Sequence, residues 1–297
     1  MDITIIMTAR DEKYVIKTID DIIDNTDYSG LKEIIVIDDC SKEPIKHDQA
    51  RVIRNSEPLG LIYNRHMAAT LADTEAIISI DPHCKVYSGW VLPLLLKLVE
   101  NYKNISIPMT QVLNPEKWVV DRGKKIGLKT GWNWNLDFSW YDSEGAYTPA
   151  IAGHCFAFTK DWFEESDGFD TAMGVWGGEN IEFSLKTWLC GGSVEVVSSR
   201  VAHWFKDAFQ YPMDGMQLFF NKMRVVETWF DDYAGVFYES QGIRRGTVGF
   251  GDIDRKLRVK KTLQEKSFQW FLENLQPNLL EQVEPQWETV PHFKQTS

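Results

Sequence analysis

The chain has 297 residues, 43% hydrophobic and 25% charged, with a formal net charge of −11. That length and balance fit one large or two modest globular domains with a real core. The acidic excess argues against a broad nucleic-acid-binding surface, though not against a local basic groove. Cys40, Cys84, Cys155 and Cys190 form no CxxC pair, and no apolar run reaches the ~18 residues of a membrane span. Met1-Asp2 leads straight into ITIIM without a basic leader, so free thiols, no membrane association and a cytoplasmic setting are expected.

In chain order, ITIIMTA (3–9) reads as a buried strand. DEKYVIKTIDDIIDNT (11–26) reads as a helix with Val15, Ile16, Ile19, Ile22 and Ile23 on one face. EIIVIDD (33–39) is a second continuous apolar strand and RVIRN (51–55) a short third. GLIYNRHMAATLA (60–72) is a helix and AIISI (76–80) a fourth strand. Continuous strands separated by helices predict an α/β fold with a mostly parallel central sheet and helices on both faces. Residues 1–103 would be its nucleotide-binding half. Residues 104–150, rich in Trp, Asn and Gly, predict loops and short antiparallel strands. AIAGHCFAFTKDWFEE (150–165) predicts a strand entering a helix, and GVWGGENIEFSLKTWLCGG (174–192) a Gly-rich turn opening another. SVEVVSSRVAHWF (193–205) predicts two short strands, and 214–234 a helix. An amphipathic helix over 255–275 would bury Leu257, Phe268, Phe271, Leu272 and Leu275, with an extended tail after Pro277. No linker divides the chain. The expectation is one domain over 1–285, with 104–240 as the sugar and acceptor half, 241–285 a basic segment and helix, and 286–297 a tail.

Side chains two apart on an extended segment face the same side, so Asp81 and His83 can meet at one point while Pro82 ends the strand. A carboxylate and an imidazole suit Mn2+ or a similar ion when phosphate oxygens complete the shell. The plainer alternative is a turn cap beside an incidental histidine. Asp38 and Asp39 end another strand, and ligands of open α/β sheets bind at that edge. His203, in RVAHWFK, is by itself an ordinary core or surface histidine, but beside Asp81 and His83 it makes a third ligand. In WGGENIE, Gly177 and Gly178 let backbone approach a ligand, and Glu179 and Asn180 put polar groups at a helix start. A helix N-cap with an acidic first turn accounts for them equally well.

Taken together, EIIVIDDCS, GLIYNR, IDPHC, GWNWNLDFSW, TPAIAG, DTAMGVWGGENIEFSLKTWLCGG, VAHWF, NKMRVVETWFDDY and KSFQWFLEN run in order along almost the whole chain. In this the sequence resembles the catalytic domain of the polypeptide N-acetylgalactosaminyltransferases, GT-A glycosyltransferases that use a metal and a UDP-sugar. The resemblance implies that Asp81, His83 and His203 hold a divalent metal, Mn2+ above others. It implies that Thr8, Ala9 and Arg10 line the nucleotide, that Asp38 contacts the uridine, and that Arg65 lies beside the UDP. Trp176, Glu179 and Asn180 would surround the diphosphate, donor sugar and acceptor hydroxyl, and Tyr211 would sit on a loop that closes over UDP.

Several positions depart from the family. His154 replaces a glycine near the donor sugar, which puts N-acetylgalactosamine in question as the donor. Lys206 replaces an arginine near the diphosphate, keeping the charge but losing the fork. Tyr63 replaces the first arginine of a GLIRAR segment, and Glu265 a cysteine that would pair in a disulfide. The membrane anchor and lectin domain lie outside the resemblance. With Asn180 unable to act as a base, retaining chemistry is implied, although Glu179 or Glu182 remain alternatives. For the acceptor, two classes stand side by side: a polypeptide Ser or Thr hydroxyl, and a hydroxymethylpyrimidine in DNA, as for a phage protein inside a bacterial host. A small glycan or lipid carrier is a further alternative, as is an inactive sugar-nucleotide-binding module. The DNA reading rests on a basic run, Arg244, Arg245, Arg255, Lys256, Arg258, Lys260 and Lys261. No obligate protein partner is evident.

Overall fold

Each of the first strands carries apolar side chains on both faces, so each must be covered on both sides. A computed structural model describes residues 1–206, 211 and 214–283 and shows this arrangement. In chain order the first elements are β1 (Ile3–Ala9), α1 (Val15–Asn25), β2 (Leu31–Asp38), β3 (Arg51–Arg54), α2 (Leu61–Leu71) and β4 (Ala76–Ile80). They are followed by β5 (Cys84–Val86), α3 (Val91–Glu100), β6 (Ile105–Asn114) and β7 (Val119–Val120). Next come the hairpin strands β8 (Lys129–Trp132) and β9 (Phe138–Tyr141), then β10 (Cys155–Thr159), α4 (Lys160–Glu165), α5 (Glu179–Leu189) and β11 (Val194–His203). The chain continues through α6 (Gly215–Trp229), α7 (Ala234–Ser240), α8 (Asp254–Leu263), α9 (Phe268–Leu275) and α10 (Pro277–Leu280).

The main sheet has the order β3-β2-β1-β4-β10-β6-β11-β5, with β7 paired to β6. Its first four strands are parallel, β10 runs against both neighbours, β6 and β11 are parallel, and β5 is antiparallel at the edge. Ile3, Ile5 and Met7 of β1 pack with α1 and α3 on one face, while Ile6 joins the α2, α4 and α5 side. The expected α/β fold is therefore present, with its first four strands parallel. No helix among the described residues is long and apolar enough to cross a membrane.

Several boundaries differ from the sequence reading. Ile16 is 40% exposed, and α1 buries Thr18 and Asp21 beside Val15, Ile19 and Ile22. Residues 105–114, expected to be irregular, form a ten-residue central strand despite Pro108. The two strands expected over 193–205 are one, β11, whose register shift between Val197 and Arg200 falls opposite Pro108. Proline offers no N–H to the ladder, and the bulge absorbs that gap. The helix expected over 255–275 breaks at Gln264–Ser267. Ser267 caps α9 by accepting from Trp270 N at 3.1 Å, and the Glu265 and Lys266 amides donate to Leu189 O. Leu257 of α8 is consequently 39% exposed. The helix expected over 214–234 ends at Trp229, and residues 277–280 are helical rather than extended. The tail 286–297 lies outside the described residues.

Candidate active site

Two features of the sheet create the site. Strand β4 delivers Asp81 just beyond its carboxyl end, where the Asp81 amide donates to His154 O at 2.8 Å. The antiparallel register of β5 on β11 then sets Cys84 opposite His203, which carries His83 into contact with His203. The His83 and His203 Nε2 atoms lie 3.1 Å apart, and Asp81 Oδ2 lies 3.5 Å from His203 Nε2 and 3.9 Å from His83 Nε2. Burial pushes the His203 imidazole down to about 4 against the pull of Asp81. Burial also opposes ionisation of Asp81, but His203, His83 and Arg65 outweigh it and hold the carboxyl well below its ordinary value. One carboxylate oxygen and two imidazole nitrogens converge on one point and are the cluster of described residues suited to hold a metal ion. Bonds of about 2.2 Å put neighbouring ligands about 3.1 Å apart in an octahedral shell, so the donor set fits a divalent ion with small adjustments.

A cleft at this edge is lined by the candidate site residues other than Ala9, Asp38 and the alternative base Glu182. Ala9 is 1% exposed and buried in the sheet. The Asp38 carboxylate is wholly buried and holds its own loop, accepting from Ser41 N at 2.9 Å, Ile45 N at 3.1 Å and Arg54 Nη1 at 2.5 Å. The carboxylate assigned to the uridine is thus occupied within the protein. Tyr211 lies with its ring 5.7 Å from the Arg10 guanidinium, and burial together with Asp39 pushes its phenol up.

Gly177 and Gly178 are left-handed, with φ of +95° and +92°, and α5 starts directly after them. A Cβ on Gly177 would lie 2.5 Å from Leu218 Cδ1. Glu179, at the helix start, has both oxygens engaged: Oε1 with Arg65 Nη1 at 3.2 Å and Oε2 with Gly177 N at 3.0 Å. Arg65 also donates to Gly153 O at 3.0 Å and lies 3.6 Å from Asp81 Oδ1, so it links the metal-site carboxylate to α5. Asn180 donates to Ile151 O at 3.2 Å. Glu182, the other candidate base, is away from the cleft, 2% exposed and 3.3 Å from both Lys186 Nζ and Trp229 Nε1.

His154 is 3% exposed, its Nε2 3.1 Å from Thr110 Oγ1 and its ring 4.7 Å from His203. Burial holds it well below the usual value, so it is a neutral, fixed wall of the cleft.

Three residues escaped the sequence reading. Glu12 reaches Lys206 Nζ at 2.5 Å and His83 Nδ1 at 3.4 Å. Burial opposes its charge, but His83 and Lys206 keep the carboxyl below its ordinary value. Asn221 of α6 binds the Gly174–Gly177 backbone from a fully buried position. Trp140 faces Phe205 edge-on at 6.1 Å on the outer wall. Glu12 stands in none of the quoted motifs, and although Trp140 closes GWNWNLDFSW and Asn221 opens NKMRVVETWFDDY, only tertiary packing shows what they touch.

A parallel set of strands, a carboxylate–imidazole cluster at its carboxyl edge and a Gly-Gly helix start across the cleft define the GT-A class of folds. Residues 4–166 match the sequence profile of glycosyl transferase family 2, and residues 141–206 match one described as the N-terminal domain of galactosyltransferase. The chain belongs to glycosyl transferase family 2. It is 32% identical over 300 residues to human polypeptide N-acetylgalactosaminyltransferase 14, covering 93% of this chain and 54% of that protein. It is 33% identical over 301 residues to polypeptide N-acetylgalactosaminyltransferase 4 of Caenorhabditis elegans, covering 93% and 51%. The crystal structure of GalNAc-T7 with UDP, GalNAc and Mn2+ matches with a TM-score of 0.84 at 25% identity, over 95% of this chain and 57% of that one. S. aureus TarS 1–349, at 0.53 and 14% identity, shares the fold. The chain spans about half the length of the curated relatives it matches.

Proposed function

We propose that the chain is a divalent-metal-dependent, retaining glycosyltransferase that moves a hexose or N-acetylhexosamine from a UDP-sugar to a Ser or Thr hydroxyl of a polypeptide. The observation that carries this is the convergence of Asp81, His83 and His203 in a cleft facing the start of α5. A divalent ion held there supplies positive charge where the β-phosphate becomes more negative as its bond to the anomeric carbon breaks. Lys206 and Arg10 line the same cleft and add cationic groups toward a diphosphate.

Among the described residues, each carboxylate lining the cleft is ion-paired: Glu12 with Lys206, Asp81 and Glu179 with Arg65, Asp137 with Lys222. With each of these described carboxylates paired, retaining chemistry is favoured over a base-driven inversion.

The peptide acceptor is supported by the named relatives and by the aromatic outer wall of Phe138, Trp140 and Phe205. The basic run does not favour DNA, since internal ion pairs engage Arg245 with Glu227, Arg255 and Lys256 with Asp167, and Lys260 with Asp231. The four free cysteines suit a reducing compartment. Incubation with a panel of UDP-sugars, Ser/Thr peptides and hydroxymethylpyrimidine DNA, read by product mass, tests the acceptor. Sugar added to peptide supports the reading; sugar added only to DNA contradicts it.

A further inference from the structure

Glu12 lies between β1 and α1, and its side chain is only 6% exposed. Oε1 is 2.5 Å from Lys206 Nζ, and Oε2 faces His83 Nδ1 at 3.4 Å. Among the described residues, neither Glu12 Oε2 nor His83 Nδ1 has a hydrogen-bond partner, both atoms are buried, and this 3.4 Å approach brings the two together. The opposite nitrogen of the same ring, His83 Nε2, is the one that faces Asp81 Oδ2 and His203 Nε2.

A neutral imidazole carries one proton, and a carboxylate accepts but cannot donate. With Glu12 beside Nδ1, the proton belongs on Nδ1, and Nε2 presents its lone pair to the point shared with Asp81 and His203. Without that anion, the Nε2 atoms 3.1 Å apart would be relieved by moving a proton between them, which removes a lone pair from the cluster. Among the described residues, His203 Nδ1 has no such carboxylate and no hydrogen-bond partner, so the two histidines are unequally supported. Carboxylates behind metal-binding histidines fix tautomer and ring orientation, and losing one costs about 10- to 100-fold in metal affinity.

We propose that Glu12 is a positioning residue for the metal centre, fixing the His83 tautomer through Oε2 while Oε1 holds Lys206 at the cleft. The inference rests on the reading of Asp81, His83 and His203 as a metal site. It makes one buried carboxylate the link between a metal ligand and a cation facing the diphosphate, so that loss of Glu12 disturbs both.

The test uses the full chain without nucleotide. Mn2+ affinity is measured by titration with detection of the free ion's paramagnetic resonance, for the wild type, Glu12→Gln, Glu12→Ala and Asp81→Asn. The nearly isosteric Glu12→Gln guards against misfolding, and circular dichroism checks the fold of each variant. The expected result is weakening of roughly 10-fold for Glu12→Gln and up to about 100-fold for Glu12→Ala. In parallel, nitrogen-15 spectra of histidine-labelled, metal-free protein should show His83 protonated at Nδ1 in the wild type and a mixture of tautomers in Glu12→Ala, a signature that a purely structural role would not move. Wild-type Mn2+ affinity in a folded Glu12→Ala, or an unchanged tautomer, overturns the proposal. If instead Asp81→Asn binds Mn2+ as well as the wild type, the metal-site reading itself fails, and the Glu12 assignment with it.

Discussion

Asn221 offers the sharpest test of how the site is held together. Its Oδ1 accepts from Gly174 N at 2.8 Å and Gln217 Nε2 at 3.2 Å. Its Nδ2 donates to Gly174 O at 2.9 Å, Trp176 O at 3.1 Å and Gly177 O at 2.9 Å. The amide has two N–H groups and one backbone N–H to satisfy, so about three bonds are effectively at stake. At about 1 kcal/mol net each, Asn221→Ala should destabilise the protein by ~3 kcal/mol, more than a surface change produces. Asn221→Asp should be at least as damaging, because a carboxylate would face three carbonyl oxygens.

The same bonds fix the turn that carries Trp176, Glu179 and Asn180. A displacement of about 1 Å there should lower kcat/KM for sugar transfer roughly 100-fold. Mn2+ affinity should change little, since Asp81, His83 and His203 come from the β4 end, the following turn and β11 rather than α6. Urea denaturation, steady-state kinetics and Mn2+ titration read the three quantities. A stability change under ~1 kcal/mol, or a fall in Mn2+ affinity as large as the fall in kcat/KM, would refute this picture.

Cys84, Cys155 and Cys190 are buried, and burial raises all three thiols, so an alkylating reagent should modify only Cys40 in the native protein and all four cysteines after denaturation. Burial, partly offset by Glu182, pulls the Lys186 ammonium down to about 8, below its unfolded value of about 10.4. Its charge is therefore a destabilising load that is fully present below about 8 and relieved as the pH rises toward ~10.4, so wild-type stability in urea should gain on that of Lys186→Met across this window. A constant difference between the two proteins contradicts the assignment. His154→Gly should reorder preference among UDP-sugars while keeping UDP affinity within about twofold; an unchanged order removes His154 as the donor-selecting wall.

Much of the fold was legible because the first strands, such as ITIIMTA and EIIVIDD, are apolar on both faces and can only be covered strands. The turn and helix of WGGENIEF were legible for a similar reason, since Gly-Gly before an acidic first turn has few other uses. The chemistry of Asp81 and His83 was visible from their spacing, whereas their meeting with His203 followed only from the family resemblance, because it depends on the register of β5, a three-residue strand. Residues 105–114 were grouped with the Trp-, Asn- and Gly-rich stretch that follows, and the bulge in β11 that lets Pro108 sit in a central strand lies about ninety residues away. Asp38 pointed to the ligand edge by position, yet Arg54 and two backbone amides claim its carboxylate, which no local pattern could announce. Glu12 and Asn221 are single polar residues whose roles arise only from what folds against them.

The central claim is that Asp81, His83 and His203 form a metal site at which a UDP-sugar binds. Calorimetric titration of UDP into the wild type and Asp81→Asn, each with Mn2+ and with EDTA, tests it most directly. The account predicts binding by the wild type that requires Mn2+ and is lost in Asp81→Asn with the fold intact. Equal UDP binding by both proteins, or wild-type binding unaffected by EDTA, would contradict it.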